Sequence, residues 1–109
     1  MSNIEAEITK YVHNVFGALK VTYFNGIYEM CEKLGVDFEN IRKGCLLSGY
    51  INEDHTMVPG PDGLKGYGGK CFPKDVKAFK HYACNFSIYS LLDELEKLNQ
   101  KYRTSEATN

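Results

Sequence analysis

Ile4-Glu5-Ala6-Glu7-Ile8-Thr9-Lys10-Tyr11-Val12-His13-Asn14-Val15-Phe16-Gly17-Ala18-Leu19 opens a run in which apolar residues return every three or four positions. Tyr23, Ile27, Met30, Cys31 and Leu34 carry the pattern forward. That period is helical, because a strand would repeat every two residues. At ~3.6 residues per turn the run covers about nine turns. Gly35 follows at once and suits a helix stop. Gly17 and Gly26 are the points where so long a helix could bend or divide.

The rest of the chain reads in the same way. Asp37 can cap a second helix over 38–47, with Phe38, Ile41 and Cys45 facing inward. Pro73 suits a first helical position and opens a third helix over 73–84, with Val76, Phe79, Lys80 and Ala83 on one side. Asn85 is a stop. Ser87 can cap a fourth helix carrying Ile88, Leu91, Leu92, Leu95, Leu98 and Tyr102. Residues 104–109 are polar and expected to fray. There is no β-alternation and no internal repeat. The expected fold is all-α: one helical domain over 1–103, with long helices and one long Gly/Pro-rich loop over 48–70. A loop of that length is usually functional or disordered, and this one leads straight to a cysteine, so a functional role is expected.

With 109 residues the chain suffices for one small domain. It is 43% hydrophobic and 25% charged, an ordinary globular balance. A formal net charge of -1 gives no electrostatic footprint for nucleic acid or an anionic membrane. No apolar run approaches the ~20 residues that span a bilayer. The first residues have no basic segment followed by an apolar one, so no leader is expected and a cytoplasmic location is. Cys31, Cys45, Cys71 and Cys84 form no Cys-x-x-Cys pair and are expected to stay reduced. No metal site is expected, since His13, His55 and His81 lack ligand spacing.

The chemistry is concentrated in Gly66-Tyr67-Gly68-Gly69-Lys70-Cys71-Phe72-Pro73-Lys74-Asp75. Small residues deliver Cys71 to the start of a helix, where unpaired N–H groups and the dipole favour an anion. A thiolate is such an anion, and Lys70 and Lys74 add positive charge. Cys71 therefore reads as a nucleophile, whereas Cys31, Cys45 and Cys84 read as small buried hydrophobes. Asp75, four residues on, can share the face of Cys71; it is either a base or merely an acid in a first turn. Lys10 and Asn14 share a face of the first helix, off the apolar stripe, and spacing alone gives them no role. The three histidines read as structural or exposed.

The glycines fit neither phosphate-binding motif. Gly66-x-Gly68 is followed three residues later by Cys71, so it is not Gly-x-Gly-x-x-Gly, and no strand precedes it. Gly69-Lys70 is followed by Cys71 rather than Ser or Thr. The glycines instead let backbone approach a ligand or turn the chain.

Four pieces carry a resemblance: the Cys71 segment; Glu5-Ala6-Glu7-Ile8-Thr9-Lys10-Tyr11-Val12-His13-Asn14; Tyr23-Phe24-Asn25-x-Ile27-Tyr28; and His55-Thr56-x-Val58-Pro59-Gly60-Pro61-Asp62-Gly63. From Ile4 to about Arg103 the chain resembles the central domain of the UDP-glucose/GDP-mannose dehydrogenase family. The resemblance implies the helical fold seen in the C-terminal part of 6-phosphogluconate dehydrogenases. It implies oxidation of the C6 alcohol of a nucleotide sugar, UDP-glucose or a relative, with two NAD molecules. In that scheme Cys71 attacks the intermediate aldehyde, and the thiohemiacetal is oxidised to a thioester that water hydrolyses. Lys10 stabilises the oxyanion, Asn14 holds sugar or water, and Asp75 orients or deprotonates water. Tyr67, Gly68 and Gly66 contact the substrate. The resemblance also implies a homodimer.

Two departures stand out. Tyr50 lies where family members usually carry an arginine that reaches the sugar nucleotide across the dimer. The Rossmann NAD domain and the C-terminal sugar-nucleotide domain are not expected within these residues, so no NAD site is expected here and the domain alone should not turn over. The alternatives are a non-catalytic helical module for dimerisation or partner binding, and an independent thiol enzyme pairing Cys71 with a histidine.

Overall fold

A computed structural model describes residues 1–105. It holds four helices, α1 Asn3–Leu34, α2 Phe38–Leu46, α3 Cys71–Tyr82 and α4 Ile88–Ser105, and no strand among the described residues. None of these helices is long and apolar enough to cross a membrane.

Helix α1 is one unbroken rod because both ends are closed. At its start the Ser2 hydroxyl accepts from the Glu5 N–H at 3.1 Å, and the Glu5 carboxylate accepts from the Ser2 N–H at 2.7 Å. This reciprocal pair satisfies two otherwise orphaned donors. The same contacts hold the Glu5 carboxyl below the usual carboxylate range. At its end Gly35 takes φ 71°. The N–H groups of Gly35 and Val36 then return to Glu32 and Cys31 carbonyls, the pattern that a left-handed glycine permits. Asp37 caps α2 as expected, accepting from the Glu39 N–H at 2.9 Å.

The helix runs through both Gly17 and Gly26 without a break. Gly17 has a different use: a Cβ there would lie 2.6 Å from the Phe72 ring, so the missing side chain is the seat of Phe72. Gly17→Val should therefore destabilise the chain by about 2 kcal/mol despite a better helix former at that site. A urea midpoint no lower than that of the parent would contradict this.

Two apolar clusters lie along α1. Val15 and Ala18 pack with Tyr67 of the loop, Val76 of α3, Ala83, and Leu92 and Leu95 of α4. Further along, Phe24 and Cys31 pack with Phe38 of α2, and Ile51 and Val58 of the loop close over them. Lys80 ties α3 to α4, donating to Asp93 and Glu96 at 2.9 Å each. Those two carboxylates raise the Lys80 ammonium, and Lys80 in turn lowers Asp93.

The packed faces of α1 and α2, and the bounds of α3 and α4, differ from the expected ones. On α1 the residues turned inward include Ala18, Thr22 and Asn25, while Val12, Phe16, Tyr23 and Met30 are half or more exposed. Small side chains let α3 and α4 come close, and the bulky stripe beside them is left uncovered. On α2, Ile41 is exposed and Arg42 is buried. The Arg42 guanidinium pairs with Glu39 at 2.8 Å and donates to the buried Thr56 hydroxyl at 3.2 Å, so a cation there is satisfied rather than stranded. Finally, α3 begins at Cys71 instead of Pro73 and ends at Tyr82, and α4 continues through Thr104 to Ser105. Pro73 sits in the first turn, where its lack of an N–H costs nothing. Of the expected tail, 106–109 lies outside the described residues.

Candidate functional site: a cysteine at the head of α3

The loop over 47–70 runs from α2 to α3, and its last residues are placed by side chains of α1 and α4. Gly66 and Gly69 adopt φ 77° and 79°, which favours glycine at both positions. The Gly66 N–H donates to Asn25 Oδ1 at 2.9 Å. The Tyr67 N–H donates to Asn99 Oδ1 at 2.6 Å, and Asn99 Nδ2 donates back to the Tyr67 carbonyl at 3.0 Å. Arg103 donates to the Lys65 carbonyl at 3.3 Å and to Asp62 at 2.9 Å. That guanidinium, aided by the Leu64 N–H, holds the Asp62 carboxyl below the usual carboxylate range.

Beyond Gly69 the chain turns directly into α3. Lys70 stands at the cap with helical angles, φ -98° and ψ -43°, and no side chain caps the first turn. Cys71 is thus the first helical residue, exposed, beside uncapped N–H groups. All four cysteines are free thiols. Cys31 is buried, as read from sequence, but Cys84 is exposed.

One turn after Cys71 on the same side of α3, Asp75 is 1% exposed. It accepts from Asn14 Nδ2 at 2.6 Å, a contact between residues 61 positions apart. Asn14 is half-buried rather than solvated. Its other end, Oδ1, lies 2.9 Å from His13 Nδ1. Lys10 lies one turn earlier on α1 and is exposed. The helices therefore bring Asn14 to Asp75 and leave Lys10 on the open side.

Gly66, Tyr67 and Gly68 belong to a second feature. They form one wall of an open cleft of about 600 Å³, with Val21 of α1, Phe72 of α3, and the loop residues Glu53, His55, Met57 and Asp62 around it. Cys71, Lys10, Asn14 and Asp75 do not line this cleft; Gly69 and Phe72 connect the two regions along the chain. His55, read as structural or exposed, stands at φ 65° with its ring 5.2 Å from the Phe72 ring. Its exposure agrees with that reading. Sequence reasoning gave no role to Asn99 or Arg103, and Asn25 entered only within the resemblance. A signal existed for Asn99. It falls in the inward register of Leu92, Leu95 and Tyr102, and a polar group on a buried stripe must have a partner.

The Tyr67 side chain is 4% exposed and packs in the first core cluster. Burial, reinforced by the Glu96 charge, pushes its phenol up to about 12. The folded chain keeps this proton where the unfolded chain loses it. Tyr67 thus supports the fold fully below about pH 10, and the support fades as pH rises towards about 12. The urea midpoint should fall across that interval, and Tyr67→Phe should remove the latest-ionising component of the tyrosinate absorbance. An unchanged absorbance titration in Tyr67→Phe would count against the assignment.

The model of the UDP-glucose/GDP-mannose dehydrogenase family, central domain, matches residues 4–101, and the chain belongs to this family. Among curated relatives, it is 36% identical over 102 residues to the UDP-glucose 6-dehydrogenase of Rickettsia bellii, covering 94% of this chain and 22% of that protein. It is 41% identical over 73 residues to the UDP-glucose 6-dehydrogenase of Rhizobium meliloti, covering 67% of this chain and 16% of that protein. The Bacillus subtilis UDP-glucose 6-dehydrogenase YwqF is 38% identical over 98 residues, covering 86% of this chain and 20% of that protein. The chain thus spans roughly a fifth of the length of these relatives. No solved structure gives a significant match.

Proposed function

We propose that residues 1–103 form the central domain of an NAD-dependent dehydrogenase that oxidises C6 of UDP-glucose or a related nucleotide sugar, with Cys71 as its nucleophile. The observation that carries this reading is the Asn14–Asp75 hydrogen bond of 2.6 Å, one helical turn from Cys71. It joins two residues of the expected catalytic set from distant parts of the chain, and Asp75 follows Cys71 by four positions in α3, which supports the reading. The relatives, all named UDP-glucose 6-dehydrogenase, support the substrate class.

In this reading the Cys71 thiolate adds to the C6 aldehyde and forms a C–S bond, and the carbonyl oxygen takes up the negative charge. Lys10 offers a cation to that oxygen from the open side of α1. Asn14, held by Asp75, orients the sugar or a water. Asp75 accepts the proton of the water that releases the acid from the thioester. Gly66, Tyr67 and Gly68 meet the substrate as a wall of the cleft rather than through the Tyr67 ring, which belongs to the core. NAD supplies the hydride acceptor of the family reaction. The described residues contain no βαβ unit and do not fit it, so this domain's own part is capture of the aldehyde and release of the acid.

The test is a chimera in which this chain replaces the central domain of the Rhizobium meliloti relative. It should form NADH from UDP-glucose, and Cys71→Ser should lower that steeply. Undiminished NADH formation in the variant would overturn the nucleophile. The uncovered face of α1, with Phe16 65% and Tyr23 63% exposed, supports the expected homodimer. Light scattering should give twice the chain mass; a monomer at high concentration would refute the dimer.

A further inference from the structure

The loop before Cys71 is held more tightly than a surface segment needs to be. Asn99 reaches it from α4 and bonds both the N–H and the carbonyl of Tyr67, as a neighbouring strand would. The two bonds require an oxygen facing the N–H and a nitrogen facing the carbonyl, so they also define the orientation of the amide. Asn99 is 8% exposed and Asn25 3%, so water cannot readily replace either side chain. The loop is moreover built around these groups. A Cβ on Gly66 would collide with Asn99 Oδ1, and a Cβ on Gly68 would collide with the Arg103 guanidinium. Glycine at both positions is what allows the backbone a path this close to those side chains. Three residues beyond Gly68 that path ends at Cys71.

We propose that Asn99 is a positioning residue for Cys71, which by pairing with both backbone groups of Tyr67 sets the course of the glycine loop into the first turn of α3. Asn25 and Arg103 secure the same segment on either side. The last two turns of α4, remote in sequence from the cysteine, are therefore part of the machinery that presents it. The proposal rests on reading Cys71 as the reactive thiol, and the two can fail separately.

Cys84 gives an internal reference, because it too is an exposed thiol and lies beyond the far end of α3. Iodoacetamide alkylation of the 109-residue chain, resolved by peptide mass, yields a Cys71:Cys84 rate ratio. A ratio near one in the parent chain would remove the thiol reading itself. Asn99→Leu takes away both bonds at similar volume. It should lower the ratio by at least about threefold, with Cys84 unchanged, because the first turn of α3 loses its fixed approach and the thiolate its N–H neighbours. Amide exchange at Gly66 and Tyr67 should accelerate in the same variant, while exchange in the middle of α1 stays slow. If Asn99→Leu does not fold, Asn99→Asp decides. It keeps the acceptor for the Tyr67 N–H, loses the donor to the carbonyl, and should shift the ratio the same way by a smaller factor. A parental ratio in a folded variant whose Tyr67 amide exchanges faster overturns the proposal, since the loop would then be loose and the thiol indifferent.

Discussion

Cys71→Ser should lower NADH formation by the chimera by at least about a thousandfold, since losing a covalent nucleophile can cost as much as ~10⁶-fold. The two side chains are nearly the same size, so packing at the exposed head of α3 should not change. The chemistry does. A hydroxyl ionises far less readily than a thiol, and the uncapped N–H groups of the first turn cannot offset that difference. An oxygen ester is also slower to hydrolyse than a thioester, so release of the acid suffers as well. Circular dichroism should show the same helix content in both proteins. A loss of under tenfold would mean that Cys71 is not the bond-forming atom.

Leu95→Ala should destabilise the chain by about 3 kcal/mol, the range for emptying a leucine site in a core that closes only partly. Leu95 is 2% exposed and packs against α1 residues with Leu92 and Val76. For a domain whose total stability is about 5–15 kcal/mol, that is a large share. The consequence reaches the site, because α4 also carries Asn99 and Arg103. Weakening its seat should loosen the 65–68 loop before the rest of the fold is lost. Urea denaturation followed by circular dichroism would measure the first effect, and amide exchange at Tyr67 the second. A midpoint equal to the parent's would show that Leu95 is not part of the core as described.

Much of the architecture was legible in the residues because helices declare themselves locally. The three- and four-residue period of Ile4 to Leu34, the Asp37 cap and the Gly35 stop all belong to interactions within a few positions. The start of α3 was misplaced by two residues for an equally local reason: Pro73 tolerates any place in a first turn, so its presence did not say which. The inward face of α1 was harder. The sequence offers more bulky apolar residues than its neighbours cover, and Gly17 and Ala18 take the inward place because the Phe72 ring and α3 need the space. Nothing in the order of residues states that preference.

The site divides along the same line. The ten residues from Gly66 to Asp75 mark a cysteine delivered to a helix start, and the family resemblance adds Lys10 and Asn14. Which partners meet was decided by packing. Asn14 bonds Asp75, Asn99 bonds Tyr67, and Arg103 bonds Asp62, across separations of 61, 32 and 41 positions. Hydrogen bonds of this kind depend on where two helices cross, which no period or cap encodes. By itself the sequence determined four helices and a cysteine at the start of one of them, since both follow from short-range backbone geometry. Only the tertiary structure decided what holds that position still, because that depends on which faces of α1 and α4 close over the loop.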